Sequence, residues 1–153
     1  METKDHTPLR HRTFTFRTNV KWVEAKSGTL KSDGKPSLRV ASPPEFKGES
    51  GVWTPEDLFV ASVEACHMAT FMTFAGKKEI PVISYESHAN GVLEFVDGDY
   101  RFTRIVIFPT IVVASSTVEA EVYALLREAQ MHCLVANSIA SIVEVNPTIM
   151  VQE

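Results

Sequence analysis

The sequence predicts an α+β fold, in which strands and helices occupy separate stretches of the chain. Three observations lead to this class: a strand-rich N-terminal third, one long apolar helix at the centre, and a β-hairpin followed by more helix. The predicted order is three strands, a helix, two strands, two helices and a strand. A chain of 153 residues suits one domain, which we place at residues 13–153.

The N-terminal third combines a polar arm with a small antiparallel sheet. Residues Met1 to Arg12 are polar and predict a flexible arm. From Thr13 onward apolar and polar residues alternate, which predicts a half-buried strand with Phe14, Phe16 and Trp22 in the sheet core. Turn signals then bracket a short second strand and a third one, Leu38 to Ala41.

The central helix has clear start and stop signals. Thr54 is a favoured N-cap and Pro55 suits the first helical position, while Gly76 is suited to the C-terminal end. Apolar residues fall on nearly every side between these ends, so we expect protein to enclose the helix. Membrane insertion is the alternative, and Glu64 and His67 within the run argue against it.

The second half of the chain predicts a hairpin, helices and a closing strand. Asp97-Gly98-Asp99 separates two β-rich runs, and Pro109 in the second run suggests an edge or a bend. Ser116 with Glu119 forms a capping-box pattern ahead of an amphipathic helix. A short third helix is expected from Leu134 to Ser141, and a strand from Val143 to Val151.

Composition excludes several functional classes. The net charge of -4 and the isoelectric point near 5.7 provide no basic surface for nucleic acid. Neither a targeting peptide nor a membrane span is evident, and two cysteines are too few for a disulfide scaffold, so we expect reduced thiols in a cytoplasmic protein. No cofactor or metal is expected.

Cys66 and Cys133 admit two interpretations. Free cysteines are often simply buried, as small apolar side chains. Cys133, however, is predicted at a helix start, where backbone N–H groups favour a thiolate. The residues 66 and 133 lie 67 positions apart, and this spacing alone does not place them in contact.

The residues around both cysteines resemble a known family. Three segments carry the resemblance: Trp53 to Phe59, Ala65-Cys66-His67-Met68 ten positions after Glu56, and Cys133 to Ser138. Together they are similar to the OsmC/Ohr family of organic hydroperoxide reductases, and the order of elements from about Thr13 to the end is similar as well. The resemblance implies an OsmC-like fold, an intertwined homodimer with packed central helices, and active sites at the subunit interface.

The resemblance also implies a thiol-dependent peroxidase and a role for each site residue. By position, Cys66 corresponds to the peroxidatic cysteine, Cys133 to the resolving cysteine, and Glu56 to the acidic residue that orients a cation. The substrate would be a small organic hydroperoxide and the reductant an external thiol or dithiol. This chemistry proceeds through a Cys66 sulfenic acid and a Cys66-Cys133 disulfide.

Helix geometry supports a dimer without reference to the family. Ten residues on a straight helix place Glu56 and Cys66 about 15 Å apart along its axis and roughly 80° apart around it. One chain therefore does not bring both side chains to one small site. Antiparallel packing of the same helix from a second subunit would do so.

Several residues are candidates for the cation that activates Cys66. An apolar helix raises a thiol's pKa, so a nearby positive charge or hydrogen-bond donor is needed for a thiolate at neutral pH. Family alignments place Lys26 or Glu45 near the usual positions of the activating arginine. We favour Arg39, with Lys26 and His67 as the other candidates.

Two further functions remain as alternatives. A zinc site would use the pairs Cys66-His67 and His132-Cys133, but neighbouring residues on a helix point about 100° apart and rarely share a metal. We expect instead that His67 lies on the helix surface with its ring hydrogen-bonded. The second alternative is a non-catalytic dimer that binds a small apolar ligand in the interface cavity.

Several residues of the central helix have less specific expectations. Glu64 is expected to face a polar seam or the dimer contact. The apolar cluster is expected in the core, with part of it lining an apolar substrate channel if the protein is a reductase. This cluster consists of Met68, Phe71, Met72 and Phe74.

Overall fold

The computed structural model describes residues 12–152, and these fall into two compact units that meet in sequence between Thr54 and Pro55. The predicted flexible arm lies outside the described residues, apart from Arg12. Strands and helices are segregated along the chain, which confirms the α+β class.

The first unit contains a three-stranded antiparallel sheet. Its strands are β1 (Asn19–Glu24), β2 (Ser27–Lys31) and β3 (Leu38–Ala41), in spatial order β1-β2-β3. Ala25, at a φ of 44°, makes the tight turn between β1 and β2. After β3 a 3₁₀ turn at Pro44–Phe46 leads into the loop that ends at Thr54.

The first strand differs from its prediction in two ways. It begins at Asn19 rather than at Thr13, and every residue of β1 is exposed. Phe16 is 90% exposed and Trp22 71%, so the prediction that these rings form a sheet core is wrong for the isolated chain. The physical reason is that β1 pairs only with β2 and its apolar side chains meet no second layer within this unit.

The second unit begins with the long helix α1 (Pro55–Lys77), as the start signals predict. The helix continues past Gly76, and its closing left-handed residue is Glu79, at a φ of 53°. The Ile80 N–H then donates to the Ala75 carbonyl oxygen at 3.0 Å, as in a Schellman ending.

Only one stripe of α1 is buried in the single chain. Its members recur every four residues: Val63, His67, Phe71 and Ala75. The opposite face is open, with Met68 41% and Met72 42% exposed. The predicted enclosure on nearly every side is therefore absent from one chain taken alone. By length and composition α1 could also cross a bilayer, a test that core helices pass as well.

A long hairpin forms the main sheet of this unit. Strands β4 (Val82–Val96) and β5 (Asp99–Val113) pair antiparallel, as predicted. Asp97 and Gly98 both have positive φ, at 52° and 86°, which suits the right-handed twist of a hairpin. The single C-terminal strand of the prediction is instead two, β6 (Ile142–Val145) and β7 (Thr148–Val151), both parallel to β5.

Pro109 lies inside a central strand, although the sequence suggests an edge or a bend. The Ile107 carbonyl oxygen accepts from Asn146 N–H at 2.8 Å, and alternate residues of a strand direct their polar groups to the same side. The missing N–H of Pro109 therefore faces the side of β6 and β7. Residue 109 falls between the β5 residues paired with these two strands, so no ladder hydrogen bond is lost there.

The second helix packs on this sheet beside α1. Helix α2 (Glu119–His132) follows a 3₁₀ turn capped by Ser115, whose Oγ accepts from Thr117 N–H at 3.2 Å. The apolar stripe of α2 packs with the second half of α1 and the end of β5 in one core cluster. The first half of α1 packs on the middle of β5 in a second core cluster. The predicted third helix is wrong: residues 134–141 contain only a 3₁₀ turn, Ala136–Ser138.

Candidate active site around Cys66 and Cys133

The two cysteines of the chain lie next to each other in the second unit. Cys66 is in the middle of α1, and Cys133 directly follows the last residue of α2. Both are free thiols; Cys66 is partly exposed and Cys133 is only 1% exposed. Packing of α2 against α1 brings them together, so that the Cys133 sulfur lies 4.0 Å from the Val63 carbonyl oxygen, one turn before Cys66.

Cys66 has a thiol that ionises more readily than usual. Burial by itself raises its pKa, but the N–H groups of Val135 and Leu134 and the Cys133 thiol donate hydrogen bonds to the sulfur and bring the pKa below its ordinary value. Thr70 also lies in reach of the sulfur, yet its single hydroxyl proton goes to the Cys66 carbonyl oxygen at 2.8 Å. We therefore assign the lowered pKa to the two amides and to the Cys133 thiol, whose single proton also lies in reach of the Val63 carbonyl oxygen.

Cys133 behaves in the opposite way. Burial raises the pKa of its thiol, the Ala136 backbone offsets part of this, and the neighbouring Cys66 sulfur raises the pKa further, so Cys66 ionises before Cys133 does. The environment thus favours ionisation at Cys66 over ionisation at Cys133. Of the two thiols, Cys66 is therefore the one whose nucleophilic form, the thiolate, is favoured.

The position of Cys133 differs from its prediction. It ends α2 as the C-cap, with an extended backbone at φ -69° and ψ 110°, and does not begin a helix. The effect expected from a helix N-terminus comes instead from the turn that follows, and it acts on Cys66. Sequence analysis missed Leu134 and Val135 because they act through backbone N–H groups, which every residue except proline possesses.

Glu56 lies in the first turn of α1, ten residues before Cys66 on the same helix, as the sequence predicts. Its Oε2 atom is buried and has no hydrogen-bond partner among the described residues. A buried carboxylate oxygen without a donor is costly. Glu56 Oε2 is therefore an unpaired acceptor among the described residues, in the first turn of α1.

Arg39 lies on β3 in the first unit and is already paired. Its Nη2 donates to Glu49 Oε2 at 2.7 Å, to Glu24 Oε1 at 3.2 Å and to the Ser27 hydroxyl at 3.2 Å. The hydrogen bond from Arg39 lowers the pKa of the exposed Glu49 carboxyl. Sequence analysis missed Glu49, whose residue type alone does not distinguish it from other loop acids.

Lys26, another candidate cation, also belongs to the first unit. Its Nζ donates to the Phe46 carbonyl oxygen at 2.8 Å and ties the turn after β1 to the 3₁₀ turn.

His67 is buried rather than on the helix surface, which corrects the prediction. It is 1% exposed, and neither ring nitrogen has a hydrogen-bond partner among the described residues. Burial lowers the pKa of its imidazole, and the nearby Leu126 backbone offsets this only in part. A neutral imidazole is a poor source of the positive charge that Cys66 would need, which weighs against His67 as the activating cation.

Other polar groups near the pair have ordinary roles. Glu64 Oε1 accepts from the Ser87 hydroxyl on β4 at 2.6 Å, which gives Glu64 the polar contact expected of it. The His132 ring packs edge-on against Phe74, at 5.8 Å between centroids. Residues 12–152 contain no group of three or more His, Cys, Asp or Glu side chains that could hold a metal ion.

Exposed apolar side chains lie near both cysteines in the sequence. Leu134 is 76% exposed and Met131 is also largely exposed, on either side of Cys133 in the sequence. Met68, two residues after Cys66, is exposed as well, but it lies about 200° around α1 from Cys66. Of the predicted cluster on α1, Phe71 alone is fully buried and Phe74 is partly buried.

Comparisons with known proteins place this arrangement in a family. The family model for OsmC-like protein matches residues 48–148, about two thirds of the chain, and includes both cysteines and Glu56. The chain therefore belongs to the OsmC-like family. Membership also identifies it as a soluble protein. Comparison with curated proteins finds no match.

Solved structures support the same fold. An OsmC-like protein of unknown function from Vibrio cholerae superposes with a TM-score of 0.82 at 23% identity, over 88% of this chain and 99% of that one. An organic hydroperoxide resistance protein from Elizabethkingia anophelis, with thiocyanate bound, gives 0.72 at 21% identity, over 93% and 99%.

A third structure, an organic hydroperoxide resistance protein from Legionella pneumophila, gives a TM-score of 0.67 at 22% identity, over 91% of this chain and 98% of that one. At these identities the likeness establishes the OsmC-like fold.

Proposed function

We propose that the protein is a thiol-dependent peroxidase that reduces organic hydroperoxides to alcohols. The observation that carries the proposal is the contact between Cys66 and Cys133, in which one sulfur favours the thiolate and the other keeps its proton. The descriptions of two similar structures as organic hydroperoxide resistance proteins agree with this chemistry.

The proposed reaction begins at Cys66. Its thiolate attacks one peroxide oxygen, the O–O bond breaks, and the alkoxide leaves and takes up a proton to become the alcohol. Cys66 is then a sulfenic acid. The Cys133 sulfur attacks the Cys66 sulfur, water leaves, and a disulfide joins the two residues. Two equivalents of an external thiol, or one dithiol, reduce this disulfide and are themselves oxidised.

The arrangement of Glu56 supports a homodimer. Because Glu56 and Cys66 are about 15 Å apart on one helix, Glu56 would serve the Cys66 site of a second copy. The open face of α1 and the exposed rings near β1 are apolar surfaces that a second copy would cover. In that dimer Glu56 would orient a cation, and Arg39 stays our choice because a second carboxylate, Glu49, already holds its guanidinium in place.

Apolar hydroperoxides are the proposed substrate class. Leu134 and Met131, which flank Cys133 in the sequence, are exposed apolar side chains that would suit an alkyl chain better than hydrogen peroxide. We place the reaction in the cytoplasm, where free thiols persist and dithiol reductants are present.

A turnover assay tests the proposal. With an alkyl hydroperoxide and a dithiol, the parent protein should consume peroxide, and Cys66→Ser should abolish turnover because no nucleophile remains. Cys133→Ser is the matched control: it keeps Cys66 and, when the dithiol is left out, should consume one equivalent of peroxide and stop at the sulfenic acid. A Cys66→Ser protein as active as the parent would disprove the proposed function.

A further inference from the structure

Cys66 obtains a thiolate-favouring environment within the second unit from neutral groups. The donors that act on its sulfur are the backbone N–H groups of Val135 and Leu134 and the thiol of Cys133. The other titratable side chains near it on α1 are turned elsewhere: Glu64 binds Ser87 on β4, and His67 packs toward the α2 backbone at Leu126. A source of negative-charge stabilisation that does not depend on a cation is therefore present in one chain.

The two amides belong to a turn that is unusually well held. The Asn137 N–H donates to the Cys133 carbonyl oxygen and the Ser138 N–H to that of Val135, both at 3.0 Å. The Ser138 hydroxyl donates to the Leu134 carbonyl oxygen at 2.7 Å. These bonds engage the carbonyl oxygens of the turn and not its first two N–H groups, those of Leu134 and Val135. Both N–H groups act on the Cys66 sulfur, and that of Val135 also acts on the Cys133 sulfur.

A side chain anchors this turn to the helix before it. Asn137 Nδ2 donates to the Met131 carbonyl oxygen at 3.0 Å, and Met131 lies in the last turn of α2, where carbonyl groups lack helical partners. The bond fixes the direction in which the chain leaves α2 at Cys133. It thereby fixes where the following amides point.

We propose that residues 133–138 form a thiolate cradle, in which the N–H groups of Leu134 and Val135 hold the negative charge on Cys66 and Asn137 is the positioning residue that fixes them. The cradle deepens the proposed function, on which its catalytic meaning rests. Backbone donors directed at a developing or resident anion need no reorganisation when charge forms, which is why such arrangements are effective. The cradle also releases its charge when Cys66 enters a disulfide, since a disulfide sulfur is neutral.

Leu134→Pro tests the cradle directly, because proline removes one N–H and nothing else of the backbone. Cys133 is at φ -69° and ψ 110°, close to the extended conformation that a following proline requires, so the turn can accept the change. Leu134→Ala is the matched control, since it removes the side chain and keeps the N–H. The readout is the pH profile of Cys66 alkylation, with the modified peptide identified by mass spectrometry.

The expected result is a difference between the two variants. Loss of one hydrogen bond to a charged sulfur should raise the Cys66 pKa by about one unit in Leu134→Pro, and so slow alkylation near neutral pH about tenfold. Leu134→Ala should keep the parent profile. Equal profiles for all three proteins, or a parent pKa no lower than the value of about 8.5 for a free thiol, would overturn the proposal.

Asn137→Ala provides a second test that does not depend on proline being accommodated. It should shift the Cys66 profile in the same direction, because the turn is no longer anchored to α2. Asn146→Ala is its control: the same change at an exposed asparagine whose backbone N–H alone donates a hydrogen bond, to Ile107. A parent profile in Asn137→Ala would remove Asn137 from the proposal.

These measurements separate the cradle from the peroxidase proposal. A parent with a low Cys66 pKa that consumes no alkyl hydroperoxide would retain the cradle and lose the function. A parent that consumes peroxide, with variants that all titrate alike, would retain the function and lose the cradle.

Discussion

Strands β1 and β5 have similar apolar content, but β1 is exposed whereas the second half of β5 is largely buried. Both show β-branched or aromatic residues at regular intervals, and the sequence predicts burial for each. β5 finds two helices and two parallel neighbours within its own unit, and Ile105, Ile107 and Ile111 become fully buried. β1 finds only β2. The comparison teaches that an apolar pattern identifies a surface that needs cover, and leaves open whether the same chain or a second copy supplies it.

A charge placed on the open face of α1 should have the largest effect on the molecule. Met68→Asp puts a carboxylate where the proposed dimer buries apolar surface, and it should weaken dimerisation by about two orders of magnitude or more. Sedimentation across a range of protein concentrations measures this.

The control for that experiment is Met150→Asp. Met150 is also exposed but lies on β7, outside the proposed contact, so the oligomeric state should not change. If Met68→Asp left the oligomeric state of the parent unchanged, the open face of α1 would not be the covered one.

A matched pair of valines compares the two strands directly. Val113→Ala removes methyl groups from a fully buried site on β5 and should cost about 2 kcal/mol of unfolding free energy. Val20→Ala, on exposed β1, should cost less than about 0.5 kcal/mol in a monomer and more in a dimer that covers it. Urea unfolding of each valine variant, made once in the parent and once in the Met68→Asp protein, measures the cost in the dimer and in the monomer separately. Equal losses of unfolding free energy at both valines in the monomeric Met68→Asp protein would contradict the difference in burial between β1 and β5.

The buried imidazole predicts how stability depends on pH. Burial lowers the pKa of His67, so below the ordinary histidine value the unfolded chain binds a proton that the native state does not, and unfolding free energy falls as the pH drops. Each unit of pKa difference between the two states is worth about 1.4 kcal/mol. His67→Met should flatten the unfolding free energy between about pH 7 and pH 5. His88→Gln, at an exposed histidine, should keep the parent slope, and a parent slope in His67→Met would contradict the assignment.

The smallest effect is expected at the surface of the main sheet. Arg104 Nη2 and Glu144 Oε2 form an ion pair at 2.5 Å between β5 and β6, with both side chains substantially exposed. Such pairs contribute about 0 to 1 kcal/mol because water and salt screen them. Arg104→Gln should therefore change the urea midpoint little, and a loss comparable to Val113→Ala would mean that the sheet edge is less solvated than its exposure indicates.

The parts of the fold that sequence predicts well are those with strong local signals. Thr54-Pro55 marks the start of α1, and Asp97-Gly98 marks the hairpin turn, because each satisfies a backbone requirement that few residue types meet. The predicted helix at residues 134–141 fails because side-chain hydrogen bonds from Asn137 and Ser138 stabilise a tight turn instead.

The candidate site also contains some residues that the sequence identifies and others that it misses. Cysteine is rare enough in this chain for Cys66 and Cys133 to attract attention, and motif spacing adds Glu56. The amides of Leu134 and Val135 carry no side-chain signature, and the contact between the two thiols depends on how α2 packs on α1. Burial of His67 is equally a matter of tertiary packing, since its neighbours along the helix do not distinguish the inner stripe from the outer one.

The most direct test of this account is mass spectrometry of the reduced protein before and after one equivalent of an alkyl hydroperoxide. The account predicts that the protein loses two hydrogen atoms in mass, that peptide mapping joins Cys66 to Cys133 within one chain, and that a dithiol reverses the change. A protein in which Cys66 remains a free thiol after exposure to the peroxide, or is oxidised without ever joining Cys133, would contradict it.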